Sequence, residues 1–183
     1  MRVEQSPLPG CYVIYDDLFE DSRGYFFESF NRATFYKQSG IDVEFVQDNQ
    51  SSSTRGVLRG LHFQKGDHAQ AKLVRVLQGA VWDVAVDLRK GSVTFGQHFG
   101  VELTATSRTQ FFIPRGFAHG FVVLSETAVF FYKCDNYYNK QAESGLIYND
   151  PQLGIDWKLP AEELILSEKD KVNPGLQQLI ETL

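Results

Sequence analysis

The chain is poor in cysteine, histidine and methionine, with two, four and one among 183 residues. Cys11 and Cys134 lie far apart and match no metal-knuckle or redox spacing, so they are read as two buried free thiols in a reducing cytoplasm and not as a disulfide. Long apolar runs are missing, and none approaches the roughly 18 residues of a membrane span. Met1 to Gln5 lack the basic-then-apolar pattern of a signal peptide. A soluble cytoplasmic protein with no membrane partner is therefore expected. Positive charge is also short: 18 Lys and Arg against 23 Asp and Glu leave a formal net charge of −5. That argues against broad affinity for a nucleic-acid backbone, but permits a local basic cluster around a small anion. No repeat, low-complexity tract or linker divides the chain, so one domain over 1–183 is expected, long enough to bury a core.

Aromatic residues, by contrast, are plentiful: 14% of the chain, with 15 Phe and 8 Tyr. They suit pleated surfaces, and short strand-like runs separated by turn residues dominate. These are Cys11–Tyr15, Tyr25–Phe30, Phe45–Asn49, Val57–Phe63, Lys72–Leu77, Val81–Leu88, Gln97–Leu103, Gln110–Ile113, Gly120–Leu124 and Ala128–Cys134, with a weaker one at Leu146–Tyr148. In Val81–Leu88 the residues Trp82, Val84, Val86 and Leu88 share one face, with Asp83 and Asp87 on the other. Helical signals are few. Asn31 is placed to cap a short helix through Gln38 that stops at Gly40. Pro174 is placed to open another, with Leu176, Leu179, Ile180 and Leu183 at helical spacing. An all-β barrel or sandwich of jelly-roll type follows, with a few short helices including one at the C-terminus.

Chemistry concentrates in Arg59-Gly-Leu-His-Phe-Gln64, Gln70-Ala-Lys-Leu-Val-Arg75 and Pro114-Arg-Gly-Phe-Ala-His-Gly-Phe121. The pattern Pro-x-Gly-x-x-His resembles the second motif of the cupin superfamily. The first cupin motif has His-x-His followed by a Glu. Here His62-x-Gln64 stands in place of His-x-His, and Lys72 takes the position of the Glu. A dication needs neutral imidazoles and a carboxylate, whereas this set offers an amide and an ammonium that a dication would repel. No catalytic metal is expected. A metal-free electropositive pocket suits proton removal beside a ketone. A histidine can act as base near neutral pH, and Lys72 can hold the developing enolate oxygen. Epimerisation also needs an acid on the opposite face, which a tyrosine can supply. Tyr132 is a candidate, since it alternates with Lys133. Arg59 and His62 have opposite parity in a regular strand, and a bulge at Gly60 would bring both to one cavity. Asp83 is a plausible partner for His119, expected to keep it protonated and able to bind phosphate.

These motifs, with Asp21-x-Arg-Gly-x-Phe-x-Glu28, Gln47-Asp-Asn49, Tyr132-Lys-Cys134 and Ser167-Glu-Lys-Asp170, together resemble the dTDP-4-dehydrorhamnose 3,5-epimerase family. The resemblance runs in order from about residue 19 to residue 170. It implies His62 as base paired with Asp170, Tyr132 as general acid and Lys72 as enolate stabiliser. It further implies that Arg23, Arg59 and Lys169 meet pyrophosphate or sugar oxygens, and that Glu28, Gln47, Asn49, His119 and Glu143 complete substrate binding. Tyr138, with Phe19 or Phe26, would stack on the thymine. The family works without a cofactor, usually as a homodimer that can share residues between sites. The reaction implied is epimerisation at C3 and C5 of a dTDP-4-keto-6-deoxyhexose. The rivals are a single-site epimerase or ketoisomerase of the same family, a metal-dependent cupin and a noncatalytic sugar-nucleotide binder.

Overall fold

The computed structural model describes residues 1–181. Its strands form two main antiparallel sheets. The first runs β1 (Arg2–Gln5), β2 (Tyr12–Tyr15), β10 (Gln110–Ile113), β7 (Lys72–Gln78), β12 (Thr127–Cys134) and β5 (Gln47–Thr54). The second runs β13 (Glu143–Gly145), β6 (Leu58–Gln64), β11 (Phe117–Val123), β8 (Ala80–Asp87) and β9 (His98–Thr104). A separate hairpin pairs β3 (Phe19–Asp21) with β4 (Gly24–Phe26).

The alternation read along the chain decides which faces meet. Val74, Val76, Phe111 and Phe130 of the first sheet pack against Val81, Ala85, Phe117 and Phe121 of the second. Removing such side chains from water supplies most of the drive for the two layers to close, at roughly 1.5–3 kcal/mol for each large one. Val84, Val86 and Leu58 point the other way, where Leu146, Trp157, Leu176 and Leu179 cover them. On the outer face of the first sheet, Phe35 of the helix α1 (Arg32–Ser39) packs near Ile14, Leu73 and Phe112. Asn31 caps this helix by accepting from the Thr34 N–H at 3.0 Å, and Gly40 ends it with φ +74°. Both cysteines are buried free thiols.

Three expectations need correction. Tyr25–Phe30 is not one strand: Gly24–Phe26 pairs back on Phe19–Asp21, and the chain then leaves the extended ladder before α1. Tyr25, Phe26 and Glu28 are exposed, and no further strand among the described residues pairs with the hairpin to reward an extended run. The weak strand at Leu146–Tyr148 falls earlier, at Glu143–Gly145, where Glu143 pairs with Gln64 and Gly145 with His62. The C-terminal helix α2 spans only Leu176–Ile180 and starts two residues after Pro174. Its first N–H is taken by Asp150 Oδ2 at 2.6 Å. Leu183 lies outside the described residues. No helix among them is long and apolar enough to cross a membrane.

Candidate active site

A cavity of about 560 Å³ opens between the two sheets at one end. The first sheet supplies Lys72, Tyr132 and Asn49, whose side chains share the inward parity of Val74 and Phe130. The second supplies His62 and His119, directly opposed in register. Arg59 reaches the same cavity because the ladder slips there: Phe121 pairs with Arg59 and His119 with His62, so β6 carries one extra residue against β11. Gly60 sits at the slip with φ +133°, and a Cβ there would come within 2.5 Å of the Gly120 Cα. Only glycine fits both the backbone angle and the approach.

The remaining wall comes from the C-terminal segment. Ile165 bridges to Val57 in parallel, and its N–H and C=O bond to Gly56 and Leu58. This lays Ser167, Lys169 and Asp170 over the cavity. Asp170 Oδ1 lies 2.5 Å from His62 Nε2. Burial alone would raise the Asp170 carboxyl, but hydrogen bonds from His62, Ser167 and the Gly60 backbone hold it below the ordinary carboxylate range. An ionised Asp170 requires a proton on Nε2, which leaves the other ring nitrogen of His62 free to act as base.

The Lys72 side chain has no hydrogen bond or ion pair among the described residues, and its Nζ lies 5.8 Å from the centre of the Tyr132 ring. Burial lowers its ammonium below the ordinary lysine value, opposed by Cys134, Asp83 and Glu143. An uncommitted cation of this kind is ready for an oxygen that becomes anionic. Tyr132 is pushed up, first by burial and then by Cys134, so it keeps its proton at neutral pH. His119 gives Nε2 to Asp83 at 2.9 Å, and both are buried. Asp83 does not keep this ring protonated as expected. Burial dominates and lowers His119, with Lys72 and His62 adding to the effect. His119 therefore enters the site as a neutral ring. Among the described residues, no three of His, Cys, Asp and Glu converge as a metal-binding set.

A second chamber of about 240 Å³ shares His62, Lys72, Asn49 and Tyr132 with the first, and adds Gln47, Tyr138 and Glu143. Tyr138 donates its hydroxyl to Glu143 at 2.9 Å, and Glu143 pairs with Lys169 at 2.7 Å. Those two bonds hold Glu143 below its ordinary value although burial pulls the other way. Gln47 bonds Asn49 at 3.0 Å. Phe19 and Phe26 aside, eleven of the thirteen expected site residues thus gather around these chambers. Arg23 and Glu28 do not: Arg23 sits in the β3–β4 hairpin, forked onto Asp21, and Glu28 accepts from Asn31. Ser51 and Ser167 also line the main cavity and were not anticipated. Ser51 continues the inward run Gln47, Asn49 along β5, a signal lost by ending that strand at Asn49.

Fold and site together define the class: a cupin-like jelly roll whose cavity holds proton-transfer groups, an isomerase. The family model described as dTDP-4-dehydrorhamnose 3,5-epimerase matches residues 5–178. The enzyme of that name from Salmonella typhimurium is 50% identical over 183 residues, covering 100% of this chain and 99% of its own. The crystal structure of the Elizabethkingia anophelis enzyme of that name superposes with a TM-score of 0.95 at 58% identity, covering 97% of each chain. A dTDP-6-deoxy-D-glucose-3,5-epimerase from Legionella pneumophila, solved with dTDP-4-keto-L-rhamnose, gives 0.92 at 48% identity, covering 96% of this chain and 93% of that one. The chain belongs to the dTDP-4-dehydrorhamnose 3,5-epimerase family.

Proposed function

We propose that the chain epimerises C3 and C5 of dTDP-4-dehydro-6-deoxy-D-glucose, giving dTDP-4-dehydro-L-rhamnose for dTDP-L-rhamnose synthesis. The observation that carries this reading is the meeting, in one cavity, of the His62–Asp170 pair, the uncommitted Lys72 and the protonated Tyr132. The free nitrogen of His62 removes the proton from the carbon beside the ketone, and Asp170 balances the charge that His62 gains. The electron pair moves to the ketone oxygen, where Lys72 stabilises it. Tyr132 then returns a proton to the same carbon from the opposite face, and solvent exchange resets both groups before the second carbon reacts. Arg59 and Lys169 bind the pyrophosphate. Asn49, Gln47, His119 and Glu143 orient the sugar, and Tyr138 stacks on the base. No metal or cofactor takes part.

The same reading makes the chain one catalytic domain and a cytoplasmic homodimer. The β3–β4 hairpin supports this, since Phe19, Tyr25 and Phe26 are 63%, 62% and 69% exposed. Apolar surface held out this way suits a partner. In a dimer the hairpin brings Arg23, Glu28, Phe19 and Phe26 to the other subunit's cavity. Sedimentation velocity should give a dimer, which Phe19→Ser/Phe26→Ser weakens.

The deciding experiment is proton NMR in heavy water with dTDP-4-keto-6-deoxyglucose and a chelator. Deuterium should enter at C3 and C5, and His62→Asn should abolish it. Exchange at one carbon only would replace this reading with a single-site epimerase. Exchange at neither would end the enolate mechanism.

A further inference from the structure

Gln64 occupies the position where related barrels carry a second histidine, two residues after His62. Its side chain is spent on the protein itself. The residue is 7% exposed, and its side-chain hydrogen bonds among the described residues go to backbone. Nε2 donates to the His68 carbonyl at 3.1 Å and to the Tyr137 carbonyl at 3.4 Å. Oε1 accepts from the Asn139 N–H at 2.6 Å. The two partners in the 137–139 stretch flank Tyr138. The Tyr138 N–H itself is taken by Gln47 Oε1 at 2.9 Å. Three consecutive residues of an exposed loop are therefore tied to two buried or half-buried amides, and the ring between them points to the second chamber.

We propose that Gln64 is a positioning residue for Tyr138, clamping the backbone on both sides of it so that its ring meets the ligand preformed. Only a neutral amide offers a donor and an acceptor at this reach. A carboxylate would face two carbonyls with no proton to give, and a leucine would leave a buried N–H and two carbonyls without their partner. Ordering this loop before binding spares the ligand that entropy. The effect therefore belongs to affinity, while the proton-transfer groups are held by other elements. The inference rests on the proposed function in one respect: that the chamber beside Tyr138 takes the nucleotide sugar.

Two measurements test it on the whole protein. In the free protein, Gln64→Leu should speed amide hydrogen exchange at Asn139 at least about tenfold, as expected for a lost buried bond of about 1.4 kcal/mol. Gln64→Glu should do so less, since it keeps the acceptor. In the second, dTDP binding by calorimetry should weaken about tenfold in Gln64→Leu, and KM should rise while kcat stays within about threefold. In a Tyr138→Ala background, Gln64→Leu should add little, because a residue that acts through another is not additive with it. Additive losses, unchanged exchange at Asn139, or a fall in kcat without a change in KM would overturn the proposal. If the wild-type protein binds no dTDP, the ligand assignment falls while the exchange data still decide whether the clamp exists.

Discussion

His62 and His119 face each other across the β6–β11 ladder, and each turns its ring to a different carboxylate, Asp170 at 2.5 Å and Asp83 at 2.9 Å. The His62 side chain keeps 31% of its surface open, whereas His119 keeps 7% and Asp83 none. Two similar pairs thus differ in access: one is open to the cavity, and the other leaves only the edge of its ring exposed.

This difference predicts unequal outcomes. Asp170→Asn removes the charge that balances a protonated His62, and kcat should fall on the order of 10²–10⁴-fold with KM little changed. Asp83→Asn keeps an acceptor for a neutral His119 and should cost less than about tenfold in kcat. Steady-state kinetics on both variants decides the matter, and a reversed order would exchange the roles of the two histidines.

Lys72→Met should lower kcat by roughly 10²–10³, the loss typical of removing one donor from a developing oxyanion. The role proposed for this lysine needs it protonated, and burial lowers its ionisation below the ordinary 10.5. Activity should therefore decline with rising pH along an alkaline limb that begins below that value. Lys72→Arg, with a group that stays charged, should be slower but lack the limb. Rate profiles from pH 6 to 10 would reveal it.

Gly60→Ala should destabilise the fold by about 2–6 kcal/mol, combining a strained backbone angle with overpacking against the Gly120 Cα and the His119 carbonyl. Arg59 and His62 would no longer share a cavity. Urea unfolding gives the energy, and a variant as stable as wild type would show that the close approach relaxes freely.

Asp16 is raised by burial from 3.8 to about 6, opposed by its bond from Gln110, by Arg75 and by the N-terminus, and reinforced by Asp17. The folded chain thus holds a proton that the unfolded chain releases near 3.8. Stability from this group is full below that value and is lost as pH rises through about 6. Asp16→Asn should flatten this slope between pH 4 and 6 and raise the melting temperature at pH 7. Gln110 also bonds the Ser29 carbonyl, so this node ties together both ends of the segment carrying the β3–β4 hairpin.

Much of this was legible in the amino-acid order. Alternation placed Trp82, Val84 and Val86 on one face and Asp83 on the other, and Asn31 with Gly40 bounded α1. The exchange of cupin metal ligands for Gln64 and Lys72 pointed to proton transfer, and parity flagged the bulge at Gly60. Other features depended on distance and burial, which spacing does not carry. Asp170 lies 108 positions after His62 in the chain and reaches it through a segment with no strong periodicity, so only family likeness indicated it. The state of His119 turned on how completely it is buried. Ser167 belongs to an irregular stretch, and the short exposed strands β1, β3 and β4 lack the alternation that marks half-buried ones.

The wall that delivers Asp170 is a thin one. Two backbone bonds at Ile165 hold it to the Gly56–Leu58 turn, Leu164 and Leu166 are only partly buried against the core, and beyond them Ser167, Glu168, Lys169, Lys171 and Val172 lie exposed. Segments with few buried contacts open long before a sheet core does. On warming, the base would therefore lose its carboxylate while the two sheets remain paired. Catalysis and melting would have separate thermometers, and the enzyme would fall silent as a folded protein.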